Sequence, residues 1–242
     1  MFTISIVIPA YNEGKRIGAT LLDYLTFFQD KNAEIIVVLN GCTDHTQQVV
    51  IEYQKKFPET LRMINLKAAL GKGGAVYAGF KQAQGKIIGF VDADRATEAV
   101  EFQKLISNLG VADGVIASRW LKGSLVINRS FLRKISSKVF VLIVKLIFKM
   151  PFSDTQCGAK IFRRDALLKI LPELKETGMA FDVELLYQAF LRGYKIKEVA
   201  TVWKDQPGSP MLGSSGRVLV NGIKMIKKLL KIKKYGQESN LR

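Results

Sequence analysis

The sequence predicts an α/β fold with a mostly parallel central sheet and helices on both of its faces. Three observations carry that expectation. Short apolar, β-branched runs alternate with helix-length segments through the first hundred residues. Such alternation gives parallel strands joined by right-handed crossovers. Each run then stops at a polar or glycine-rich loop, and sheets of this kind bind their ligands at the carboxyl ends of the strands. Finally, 242 residues, 48% of them hydrophobic, are enough for one such domain with a sizeable core.

The first run, Ile4-Ser5-Ile6-Val7-Ile8-Pro9-Ala10, is a strand closed by a proline, and Tyr11-Asn12-Glu13-Gly14 leads into a helix over 16–29. Glu34-Ile35-Ile36-Val37-Val38-Leu39 is the second strand, stopped by Asn40-Gly41-Cys42-Thr43-Asp44. Thr43 or Asp44 can cap a helix over 45–56. A third strand covers 61–66, and Gly71-Lys72-Gly73-Gly74 precedes a helix reaching about Ala83. The fourth strand runs into Asp92-Ala93-Asp94. Farther along, 130–149, 162–171 and 182–191 read as helices, and 194–202 as a strand ending at Trp203. A glycine- and serine-rich loop to Gly216, of a composition suited to a mobile lid, precedes a last helix over 217–234. The single histidine, His45, falls at a helix start and is given no role.

The fourth strand carries the chemistry. Asp92 and Asp94 stand two apart, and strand alternation sends both carboxylates to the same side. Two like charges at the mouth of a sheet cost energy unless a cation sits beside them. Hard oxygen ligands suit Mg²⁺ or Mn²⁺, which binds one or two carboxylates together with substrate phosphates. The glycine turn fits neither well-known phosphate motif. A P-loop needs glycine at 66 and serine or threonine at 73, where the chain has Leu66 and Gly73. A dinucleotide fingerprint needs glycine at 76, where Val76 stands. Lys72, in a flexible turn at a helix start, can still face a phosphate.

The formal charge of +16 is local. Residues 129–149 carry six Lys/Arg and no acid, and residues 217–242 carry eight and one acid, so the two segments hold +13 of it. On a helical wheel Lys134, Lys138, Lys145 and Lys149 fall within about 60° of arc, and apolar side chains fill most of the rest. A helix so composed lies in a membrane interface or is partly buried against the domain. Over 217–234 six basic residues take one half of the wheel and eight apolar ones the other, with Val220 and Lys233 out of place, as in a helix that lies on a membrane surface. No apolar run approaches the ~20 residues that span a bilayer, and no cleavable leader is evident. Cys42 and Cys157 suit neither a disulfide framework nor a metal cluster, which makes a reducing compartment the default.

Five motifs occur in order: Val7-Ile8-Pro9-Ala10-Tyr11-Asn12-Glu13, Gly71-Lys72-Gly73-Gly74-Ala75, Asp92-Ala93-Asp94, Asp154-Thr155-Gln156-Cys157-Gly158 and Phe181-Asp182-Val183-Glu184-Leu185-Leu186. Over nearly its whole length the chain resembles the inverting family 2 glycosyltransferases of the GT-A fold, a Rossmann-like architecture. Within them it is most similar to the dolichyl-phosphate β-glucosyltransferases, ahead of the mannosyltransferases. The resemblance implies a nucleotide-sugar donor (UDP-glucose rather than GDP-mannose), a divalent metal, Mg²⁺ or Mn²⁺, and a dolichyl or other polyprenyl phosphate acceptor. It implies one domain over 1–216 and a basic amphipathic helix and tail over 217–242, peripheral on the cytoplasmic face of an anionic membrane. It assigns Pro9, Ala10, Tyr11, Glu13, Lys72, Asp92, Ala93 and Asp94 to the donor pocket. Asn40 joins them at a position where the family usually carries aspartate. Asp92 and Asp94 are the metal residues, Asp94 the direct ligand. Arg119, Arg133 and Ser137, with Arg129 as a fourth, are assigned to the acceptor phosphate. Asp154 or Asp182 is left to assist as a base, though a phosphate nucleophile, already anionic, needs little help.

Two other classes fit less well. A sugar nucleotidyltransferase would open on a glycine-rich triphosphate loop bearing arginine and lysine, which residues 9–14 are not. A nucleic-acid-binding protein would interleave its basic residues with exposed aromatics; here they flank aliphatic faces, and no nucleic-acid partner is expected.

Overall fold

A computed structural model of the chain describes residues 2–206 and 215–240, with side chains of the last helix from 224 to 238. The N-terminal half follows the expected order. Strands β1 (Ile4–Ala10), β2 (Ala33–Asn40), β3 (Leu61–Leu66) and β4 (Ile87–Val91) alternate with helices α1 (Ile17–Phe28), α2 (Thr46–Lys56) and α3 (Gly71–Gln82). All pair in parallel, in the order β3-β2-β1-β4. The strands are apolar on both sides because both faces are covered. Ile6, Ile8, Ile35 and Val37 point into one core with α1, α2 and α4 (Ala99–Ser107). Val7, Ile36, Val38 and Phe90 point into the other, with α3 and the C-terminal helices.

The C-terminal half departs from the sequence reading. The expected helix over 162–171 is α6 (Arg164–Ile170), but its first two residues close a strand, β7 (Ala159–Arg163), that turns directly into it. Three strands went unread, β5 (Gly114–Ser118), β6 (Leu125–Ile127) and β7. β7 inserts antiparallel between β4 and β5, and β8 (Ile196–Ala200) adds parallel to β5, completing seven strands in the order β3-β2-β1-β4-β7-β5-β8. The expected strand over 194–202 breaks at Thr201, and its continuation β9 (Val202–Lys204) pairs with β6 (Leu125–Ile127) in a second, two-stranded sheet. The break is held by Glu101, whose carboxylate accepts from the Val202 amide at 2.9 Å and from the Thr201 hydroxyl at 3.2 Å.

Helix α5 (Phe131–Phe148) lies where the sequence put it, with Ser130 as its N-cap. It presents two apolar strips. Val144 and Phe148 are buried, and Phe140, Ile143 and Ile147 are packed beside them. Phe131, Leu132, Ile135, Val139, Leu142 and Leu146 are exposed, Leu146 by 70%. After α7 (Phe181–Leu191), the last helix, α8 (Ser215–Asn240), begins before and ends beyond the expected 217–234. Its apolar half is divided as well: Leu229 and Ile232 are buried in the core shared with α5 and α7, while Ile226 and Leu230 remain exposed. Residues 207–214 of the expected lid loop lie outside the described residues; its end, Ser215 and Gly216, is already helix. No helix among the described residues is long and apolar enough to cross a membrane.

Candidate active site

The carboxyl ends of β1, β2 and β4 open onto a pocket of about 360 Å³. All nine residues assigned to the donor from sequence line it: Pro9, Ala10, Tyr11, Glu13, Asn40, Lys72, Asp92, Ala93 and Asp94. The backbone explains how they converge. The loop after β1 turns at Asn12, which has a positive φ of 54° and pairs with Thr43 beyond β2. Asp44 accepts from the Gly14 amide at 3.0 Å, tying the same loops together. Asn40 accepts from the Leu70 amide at 2.7 Å and fixes the approach to the glycine turn. Gly71 has a φ of +83° and lies against the Thr177 carbonyl, a position that excludes a side chain.

Electrostatics give the pocket a charged floor. Lys72 Nζ lies 2.6 Å from Asp92 Oδ1. Burial opposes the lysine's charge, but Asp92 and Asp182 outweigh it and hold its pKa at about 12. Asp94 is raised above the ordinary carboxylate range, first by burial and then by the neighbouring Asp92 charge; the Ala96 amide, donating at 3.0 Å, opposes this. Glu13, raised by burial, is gripped by Arg16 through two hydrogen bonds of 2.6 and 2.7 Å. Behind Asp92 stands Gly158, where a Cβ would collide with that carboxylate.

The residues assigned to the acceptor are placed differently. Arg119 and Asp154 form a buried pair, Nε–Oδ2 at 2.7 Å and Nη2–Oδ1 at 2.9 Å, with the Arg119 amide adding a third bond. Burial would raise Asp154, yet the guanidinium overrides it and holds the carboxyl below its usual range. Each group thus occupies the other, so in this arrangement Arg119 is not an open phosphate clamp and Asp154 is not an open base. Asp182 is likewise buried, ion-paired with Lys160, whose Nζ also donates to the Cys157 carbonyl. Arg133 reaches Asp205 at 2.5 Å, and Ser137 lies one turn along the same helix, half-buried.

Sequence reading missed Arg16 and Met179, both on the pocket wall. Glu13 and Arg16, three apart, carried a readable signal; Met179, in an irregular loop after α6, carried none.

An open α/β sheet whose central strand delivers two carboxylates beside a lysine into a pocket of this size is the architecture of a nucleotide-sugar-dependent transferase. The chain belongs to glycosyl transferase family 2, whose model matches residues 5–171. Dolichyl-phosphate beta-glucosyltransferase of Dictyostelium discoideum is 36% identical over 224 residues, covering 86% of this chain and 68% of that protein. The enzyme of the same name from Saccharomyces cerevisiae is 35% identical over 251 residues, covering 95% and 74%. Among solved structures, glucosyl-3-phosphoglycerate synthase of Mycobacterium tuberculosis with Mn²⁺, UDP and phosphoglyceric acid superposes with a TM-score of 0.72 at 19% identity. That match covers 96% of this chain and 78% of the other. The fold is GT-A.

Proposed function

We propose that the chain transfers glucose from UDP-glucose to dolichyl phosphate or a related polyprenyl phosphate, working as a peripheral protein on the cytoplasmic face of a membrane. The observation that carries this reading is the pocket at the ends of β1, β2 and β4, with Lys72, Asp92 and Asp94 on its floor, in a chain whose curated relatives are named for that reaction.

The donor set fits Mg²⁺ or Mn²⁺. Asp92 and Asp94 offer hard oxygens on the pocket floor and would hold such an ion together with the donor's phosphates. When bound, the ion supplies Lewis-acid stabilisation of the charge on the departing nucleoside diphosphate. Lys72 adds a fixed positive charge on the same floor, and Pro9, Ala10, Tyr11, Glu13 and Asn40 wall the nucleotide. The acceptor phosphate, already anionic, approaches from the side of α5. Arg119 works there through Asp154, as a positioning residue. The exposed apolar strip of α5, bordered by its lysines, together with Ile226 and Leu230 of α8, seats the domain on an anionic surface.

Incubating the full chain with a panel of nucleotide sugars, a short isoprenyl phosphate and Mg²⁺ or Mn²⁺ tests the reading. Glucosyl transfer from UDP-glucose, abolished by chelator, is expected. Preference for GDP-mannose would reassign the donor, and turnover in excess chelator would overturn the metal role.

A further inference from the structure

One wall of the pocket comes from neither a strand nor the loops that follow β1, β2 and β4. The loop from Lys175 to Met179 lies between α6 and α7, and Met179 at its end lines the pocket. The loop is bonded to the first turn of α3, where the Gly74 amide donates to the Thr177 carbonyl at 3.0 Å, two residues beyond Lys72. Glu184 of α7 closes the unit from behind. Its buried carboxylate accepts from the Lys175 amide at 3.0 and 3.1 Å, from the Glu176 amide at 2.8 Å and from the Tyr77 hydroxyl of α3 at 3.3 Å. A carboxylate taken out of water needs such donors around it. Loop and helix start are thus one piece, and Lys72 stands on it.

Two side chains tie this piece to α8. Lys228 Nζ lies 2.7 Å from Glu176 Oε1, the same oxygen that accepts from the Gly178 amide at 2.8 Å. The Lys175 ammonium lies 4.6 Å from the centroid of the Tyr235 ring, a distance at which a cation is attracted to an aromatic face. Beside these tethers is a cavity of about 60 Å³ that Glu184, Lys231 and Ile232 help to line, so the loop has room to shift. Lys228 belongs to the basic half of α8 that periodicity assigns to a membrane surface. The fold instead points it at an acid of the domain, while the adjacent Lys227 is exposed and has no carboxylate partner among the described residues.

We propose that Lys228 is a positioning residue for the nucleotide-sugar donor. Through Glu176 it holds the 175–179 loop, and through that loop it holds the turn that carries Lys72 and the wall that carries Met179. This assignment rests on the donor site proposed above. The helix that exposes Ile226 and Leu230 is by this link also a part of the donor site.

The test uses the full chain as wild type, Lys228→Met, Lys228→Arg, Glu176→Gln, the Lys228→Met/Glu176→Gln double variant and Lys227→Met. No bilayer is present, and the acceptor is citronellyl phosphate. Calorimetry should show UDP binding weakened about two- to five-fold in Lys228→Met, the range for losing a partly exposed ion pair. The KM for UDP-glucose should rise by the same factor, while kcat and the KM for citronellyl phosphate stay at wild-type values. Glu176→Gln should match Lys228→Met, and the double variant should be no worse than either, since both remove one interaction. Lys228→Arg should restore UDP affinity, and Lys227→Met should leave it unchanged. An equal loss in Lys227→Met would assign the effect to the overall charge of α8 and overturn the proposal. So would additive losses in the double variant, or a lower melting temperature with unchanged UDP affinity. If the wild type binds no UDP, the donor reading fails. Faster hydrogen exchange at the Gly74 and Lys175–Gly178 amides in Lys228→Met would still support the tether, and unchanged exchange would overturn that too.

Discussion

At the scale of residues, the floor of the pocket is a conflict of charges that the protein holds only in part. Asp94 is raised by burial and by Asp92, so the folded state favours its protonated form. That contribution to stability is present below the ordinary carboxylate pKa and is lost as pH rises through the elevated one. Asp94→Asn in chelator should therefore melt higher than the wild type at neutral pH, with the gap closing below pH ~4, while glucosyl transfer is lost. Thermal melts across pH and an activity assay check both halves. Asp154 has the opposite sign: its carboxyl is depressed, so its contribution holds above the ordinary range and is lost as pH falls through the lowered pKa. Asp154→Asn leaves Arg119 buried without a counter-charge and should cost about 3–5 kcal/mol in urea denaturation. Gly158→Ala forces a methyl into the Asp92 carboxylate and should weaken metal-dependent UDP binding by calorimetry, with the Lys72 contact disturbed as well. The Asp92/Asp94 pair was legible because both residues follow directly on one apolar strand, two apart in sequence. The Arg119–Asp154 pair was not, because its members are 35 apart in sequence and meet only across the folded sheet.

At the scale of elements, periodicity revealed that α5 and α8 are amphipathic, but not which apolar strip the domain keeps. Val144 and Leu229 are buried while Leu146 and Leu230 are exposed, although each pair is equally apolar. Choosing between them requires knowing where α7 lies, and that is tertiary information. The division changes how membrane attachment is tested. Deleting α8 would remove Leu229 and Ile232 from the core, at a cost of about 2–5 kcal/mol for each large buried side chain, so release from vesicles could not be told from unfolding. The paired substitution Leu142→Glu with Leu146→Glu changes only exposed positions of α5. It should abolish co-sedimentation with anionic vesicles at low salt and leave the melting temperature nearly unchanged. Wild-type binding should itself weaken as salt screens the lysines.

At the scale of the whole molecule, the first four strands were read in full because each is a local, strongly apolar run followed by its own helix. The second half was harder. β7 reads Ala-Lys-Ile-Phe-Arg and passes without a break into helix, and its buried Lys160 looks polar until Asp182 is brought beside it. That strand also sets a timetable. It occupies the middle of the sheet, yet it is made some seventy residues after β4, the neighbour it must join. As the chain leaves the ribosome, β1 to β4 can assemble while one edge of β4 stays open. The Asp92 amide, whose partner is the Gly158 carbonyl at 3.1 Å, has nothing to bind until then. By that time the whole of α5 has been synthesised, with its greasy strip already in water. The long wait for a distant partner should make closure the slow step. In pulsed hydrogen exchange during refolding, amides of β1 and β2 should be protected before those shared by β4 and β7, and the ability to bind UDP should appear with the later phase. The backbone behind Asp92 is thus completed only after the parallel half of the sheet has formed.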